Sequence, residues 1–104
     1  MSKNEGQSPK PNHNETSEEL TIANSLGLHA RSATLLVKLA QRFQSEIQLA
    51  MNGKKADAKS IIELLTLGAG KGKRVRLTVR GPDHREAFTE IRRFILEGLG
   101  EGAS

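Results

Sequence analysis

Cysteine is absent from this chain, which excludes a disulfide framework and any thiolate metal site. Tryptophan and tyrosine are absent too, and three phenylalanines leave little surface on which bases could stack. With no helix-turn-helix or zinc pattern, the formal charge of +4 reads as a basic face for acidic protein partners rather than for nucleic acid. Apolar runs fall far short of the roughly 20 residues a membrane span needs, and the first 17 residues hold no apolar signal-peptide core. A cytoplasmic protein without membrane insertion is expected, and Asn14-Glu15-Thr16 is read as a chance match to a glycosylation acceptor. Histidine occurs at positions 13, 29 and 84 only, too scattered for a metal site, so neither metal nor cofactor is expected.

What the chain does contain is organised. Residues 1–17 are polar and nearly devoid of apolar side chains, so burial cannot offset their ordering entropy. They read as a disordered tail, with His13 a solvated residue in it, ahead of one domain over 18–100 and a frayed end at 101–104. "ELTIAN" (19–24) alternates around Leu20 and Ile22, a short strand with one buried face. Ala33, Leu36, Val37, Ala40 and Phe43 recur at spacings of three and four, the buried stripe of a helix. Ile47, Leu49 and Met51 mark a strand that meets Asn52-Gly53, a strong hairpin signal, and a further strand runs through Ala56.

Ser60-x-x-Glu63 is a capping-box pattern that opens a short helix, and Gly68 stops it. Val75, Leu77 and Val79 alternate with Arg74, Arg76, Thr78 and Arg80, a strand with one dry and one basic face. Asp83-x-x-Glu86 is a second capping-box pattern, and Phe88, Ile91, Ile95 and Leu99 form the inner face of a closing helix. The order β-α-β-β-α-β-α, with strands apolar on one side only, predicts an α+β open-faced sandwich: a four-stranded antiparallel sheet with three helices on one face.

His29, in "NSLGLHARSA", stands at the start of the first helix. A Ser-His-Asp arrangement is unsupported, because no acidic residue occurs between Asn24 and Gln44. At a helix start, however, the unbonded amides of Ala30 and Arg31 favour an anion. The guanidinium of Arg31 suits phosphate oxygens, and a neutral imidazole is a competent nucleophile near pH 7. Two readings stay open on the residues alone: a carrier of phosphate on His29, or a simple helix cap.

"LGLHARSA" resembles the active-site loop of the histidine-containing phosphocarrier (HPr) family of the bacterial phosphoenolpyruvate-dependent phosphotransferase system. "KSIIELLTLGAGKG" resembles that family's second helix and following turn, and the likeness covers residues 18–100 in the family's element order. It implies a carrier that is a substrate of enzymes rather than an enzyme. His29 would accept phosphate on Nδ1 from enzyme I and pass it to a histidine of an enzyme IIA domain. Arg31 would balance the charge, and the amides of Ala30 and Arg31 would hold the phosphoryl oxygens. Most members have proline where this chain has Ser32, whose hydroxyl is placed either to reach the phosphate or only to cap the helix.

Arg31, Thr34, Lys38, Gln41 and Arg42 fall on the outward side of the first helix. The short second helix cannot bury Ile61, Ile62, Leu64, Leu65 and Leu67 equally, so some of these, Ile62 and Leu65 first, should face a partner. The resemblance makes this joint surface, Ile61 included, the docking site for enzyme I and enzyme IIA. It also places Ser60 at the serine that a dedicated kinase phosphorylates in regulated members, a role compatible with its helix-capping one. "LGAGKGK" fails the spacing of a P-loop and reads as a turn. A monomer is expected. The rival readings are a regulatory member of the nitrogen-related branch, and a Ser60-phosphorylated module that controls a transcription factor.

Overall fold

The computed structural model describes residues 14–101. Seven elements follow in chain order: β1 (Glu15–Thr21), α1 (Ala30–Ala40), β2 (Glu46–Met51), β3 (Lys54–Asp57), α2 (Ile61–Leu67), β4 (Arg74–Arg80) and α3 (His84–Leu96). The strands form one sheet in the order β1-β4-β2-β3, with every neighbouring pair antiparallel. The three helices cover one face of it, the open-faced sandwich that the alternation predicts.

The register explains which face is covered. Val75, Leu77 and Val79 of β4 lie opposite Leu20 of β1 and Leu49 and Ile47 of β2, and all six are buried. The α1 stripe (Ala33, Leu36, Val37, Ala40) and Ala87, Ile91 and Ile95 of α3 join the same core. Each fully buried Leu or Ile contributes about 1.5–3 kcal/mol relative to exposure, whereas exposed charge pairs contribute about 0–1, so the helix-covered side holds the sheet together. Asn52 (φ 51°) and Gly53 (φ 80°) supply the two left-handed residues that a tight β2–β3 turn requires.

Four expectations need correction. First, β1 starts at Glu15, inside the stretch assigned to the tail, and residues 1–13 lie outside the described residues. Its inward positions 16 and 18 are polar, yet Thr16 Oγ1 meets His84 Nδ1 at 2.9 Å and Glu18 pairs with Arg92 at 2.8 Å, so α3 satisfies them. Second, Glu101, assigned to the frayed end, is hydrogen-bonded into the fold, while residues 102–104 lie outside the described residues. Third, the outer face of β4 is not a free basic surface. Arg74 pairs with Glu19 at 2.9 Å, Arg80 with Glu46 at 3.3 Å, and Arg76 donates to Ser17 Oγ at 3.0 Å.

Fourth, Asp83 precedes α3 but its side chain does not cap it. The carboxylate instead accepts the Gln44 and Ser45 amides, each at 2.9 Å, and the Ser45 hydroxyl, which ties the α1–β2 loop to α3.

Candidate functional site

His29 is the N-cap of α1, with extended backbone (φ −140°, ψ −178°). Gly27 forces the preceding turn. It has φ +64°, and a Cβ there would strike the Ala69 carbonyl oxygen and come within 2.7 Å of Gly70 Cα. The Leu28 amide donates to that Ala69 carbonyl at 2.9 Å, which seats the loop against the backbone that follows α2. Ala33 makes the bond to the His29 carbonyl at 2.8 Å, so the amides of Ala30 and Arg31, both exposed residues, have no intrahelical acceptor.

The His29 side chain is 31% exposed and its Nε2 lies 3.0 Å from Glu101 Oε2. The same oxygen accepts Asn24 Nδ2 at 2.8 Å, and Asn24 Nδ2 also donates to the Gly27 carbonyl at 3.0 Å. Hydrogen bonding from Asn24, then from His29, holds the Glu101 carboxyl below its ordinary range, and the charge of Arg31 adds to this. An ionised carboxylate only accepts, so this contact requires a proton on Nε2. In the neutral ring the lone pair then lies on Nδ1.

The chain delivers Glu101 by a hook after α3. Gly98 (φ 103°), Leu99 (φ 54°) and Gly100 (φ 84°) are successive left-handed residues, and the Leu99 amide bonds the Phe94 carbonyl at 2.9 Å. Leu99 itself is fully buried. Glu101 is the residue that reading the sequence missed. Its local signal was the Gly-Leu-Gly that follows the apolar stripe of the last helix, a pattern suited to reversal rather than to fraying.

The remaining expected residues fall in two groups. Arg31, Lys38, Gln41 and Arg42 are exposed on or just after α1, and the partly exposed Thr34 bonds the Ala30 carbonyl at 2.7 Å. On α2, which packs against α1, Ile61, Ile62 and Leu65 are exposed to 38%, 76% and 42%, while Leu64 and Leu67 are buried. Ser60 caps α2 by accepting the Glu63 amide at 3.2 Å. The Glu63 carboxylate accepts the Asp57 amide at 2.9 Å, which leaves the box half formed. Ser32 does not turn its hydroxyl outward: it is fully buried, accepts the His29 amide and donates to the Gly27 carbonyl, both at 3.0 Å.

Among the described residues no group of three or more His, Asp or Glu gathers as a metal site, and no helix is long and apolar enough to cross a membrane. His29 thus stands at a helix start with Nε2 engaged by Glu101, and the Ala30 and Arg31 amides of the first turn have no intrahelical acceptor. The family model for the PTS HPr component phosphorylation site matches residues 16–97. The chain belongs to the HPr family. Over 84 residues it is 43% identical to phosphocarrier protein HPr of Cupriavidus necator, covering 81% of this chain and 94% of that one. It is 42% identical over 90 residues to the multiphosphoryl transfer protein of Salmonella typhimurium, covering 84% of this chain but 24% of that longer protein.

The crystal structure of HPr-C-His from Thermoanaerobacter tengcongensis superposes with a TM-score of 0.78 at 37% identity, covering 83% of this chain and 97% of that one. As an HPr family member the protein is a phosphocarrier of the phosphotransferase system. Glu101 lies past the end of the stretch that the family model matches.

Proposed function

We propose that His29 accepts a phosphoryl group on Nδ1 from a phosphohistidine of enzyme I and passes it to a histidine of an enzyme IIA domain. The observation that carries this is the engagement of Nε2 by Glu101, which leaves Nδ1 as the nucleophilic nitrogen next to the start of α1. In the step, the donor's N–P bond breaks as the Nδ1–P bond forms, and the proton on Nε2 stays in its bond to Glu101. The Ala30 and Arg31 amides and the Arg31 guanidinium take the phosphoryl oxygens, aided by the helix dipole. Transfer between imidazoles needs positioning and charge stabilisation rather than a deep pocket, and the part-exposed ring suits a group that must leave again.

The docking surface comprises Arg31, Thr34, Lys38, Gln41 and Arg42 with Ile61, Ile62 and Leu65. Apolar side chains rimmed by cations fit acidic partners met in turn. Ser60, half-exposed at the start of α2 and next to Ile61, is the site at which a serine kinase and phosphorylase would regulate docking. Phosphate there agrees with the helix dipole but puts charge beside the apolar patch. The relay serves sugar uptake or its regulation in the cytoplasm.

Incubation with enzyme I, phosphoenolpyruvate and Mg²⁺ tests the reading. An acid-labile phosphate should appear on the wild type and be absent in His29→Ala. Wild-type protein that takes up no phosphate, or equal labelling of the variant, would overturn it.

A further inference from the structure

Ser32 occupies the third helical position of α1 without any accessible surface. Its Oγ accepts the His29 amide at 3.0 Å, donates to the Gly27 carbonyl at 3.0 Å and lies 3.3 Å from the His29 carbonyl. A capping hydroxyl ordinarily serves the free amides of its helix from the N-cap position. From the third position this one accepts the N-cap amide, the return half of a capping box, and adds a donation to the Gly27 carbonyl, so it binds the backbone on either side of Leu28.

Those bonds belong to a closed circuit. The Gly27 carbonyl that takes the Ser32 hydroxyl also takes Asn24 Nδ2, Asn24 Nδ2 bonds Glu101 Oε2, that oxygen bonds His29 Nε2, and the His29 amide returns to Ser32 Oγ. His29 is therefore held twice in one circuit, by its backbone at Ser32 and by its ring at Glu101. Proline, common at this position in the family, constrains its own φ but offers no hydroxyl, so it would leave the His29 amide and one Gly27 acceptor direction without these partners.

We infer that Ser32 is a positioning residue for phosphoryl transfer: its hydroxyl holds the His29 backbone so that Nδ1 stays before the Ala30 and Arg31 amides while Nε2 rests on Glu101. This rests on the phosphocarrier reading of His29. Ser32 touches neither phosphate nor partner; it acts through the orientation of the ring, to which transfer rates are steeply sensitive.

The test uses the full chain and its Ser32→Ala and Ser32→Pro variants. Two things are measured: transfer from phosphorylated enzyme I, resolved into kcat and KM, and the ring ¹⁵N shifts of His29, which report the tautomer without any partner. Loss of the hydroxyl should lower kcat about tenfold and leave KM within about twofold, because the docking residues are untouched. The ring signature should move from the Nε2–H form toward a mixture, with melting curves showing both variants folded at the assay temperature. Ser32→Pro should be slow as well. Wild-type kcat with an unchanged ring signature in Ser32→Ala would overturn the inference, as would a change in KM alone or a fast Ser32→Pro. Because the ring shifts are read without enzyme I, a wild type that accepts no phosphate would sink the carrier reading while the tautomer still decides the role of Ser32.

Discussion

On the phosphocarrier reading, Glu101 does for His29 what a buried acid does for histidine in a catalytic triad: it selects the tautomer and aims the ring without taking the proton. Its carboxyl is held below the ordinary range, so it is charged throughout neutral pH and stops accepting only when acid protonates it. The backbone that brings it there is strained at Leu99, where a left-handed leucine costs about 1–2 kcal/mol. Burying that leucine returns about 1.5–3 kcal/mol, so the hook holds. Glu101→Ala should slow phosphoryl transfer about three- to tenfold and mix the ring tautomers, with little change in melting temperature. Kinetics and His29 ring ¹⁵N shifts check this, and a wild-type rate with a pure Nε2–H ring would remove Glu101 from the site.

At the scale of elements, α2 shows how a short helix is held. Seven residues are too few for a helix to persist alone, and here both ends are closed, by the Ser60 hydroxyl and by left-handed Gly68 (φ 70°). Leu64 and Leu67 anchor one side in the core, which leaves Ile61, Ile62 and Leu65 uncovered. The apolar excess was legible, because five apolar residues cannot share one side of two turns. Which of them face out depends on where α1 and β3 press on the helix. Ile62 is 76% exposed, so Ile62→Asp should change stability by only about 0.5 kcal/mol while raising the KM for phosphorylated enzyme I about tenfold. Denaturation and steady-state transfer assays separate the two effects, and an unchanged KM would take Ile62 out of the docking surface.

At the scale of the whole molecule, the end of the sheet remote from His29 is closed by polar contacts between distant segments. Asp83 holds Gln44 and Ser45, Thr16 meets His84, and the Gly81 amide bonds the Asn14 carbonyl at 2.8 Å. The Ser45 hydroxyl first, and then the Gln44 amide, keep the Asp83 carboxyl below its ordinary range. As pH falls, the unfolded chain therefore binds this proton before the folded one does. The stabilisation is complete above the unfolded carboxylate range and is lost as pH falls through the lower, folded value. Asp83→Asn should lower the melting temperature at neutral pH and flatten its fall in acid, with phosphoryl transfer at neutral pH unchanged. Thermal melts between about pH 7 and pH 2 follow the effect, and parallel curves for the two proteins would refute it.

The sequence by itself determined the order of elements, the buried stripes of α1 and β4, the Asn52-Gly53 turn and the loop that ends at His29. These rest on periodicity and turn chemistry, which act between residues a few positions apart. Only the tertiary structure decided that Glu101 meets His29 across 72 positions, Thr16 meets His84 across 68, and Asp83 reaches back 38 residues to Ser45. Such polar pairs leave no repeating pattern along the chain, because each partner is supplied by how the elements pack and not by its neighbours in sequence.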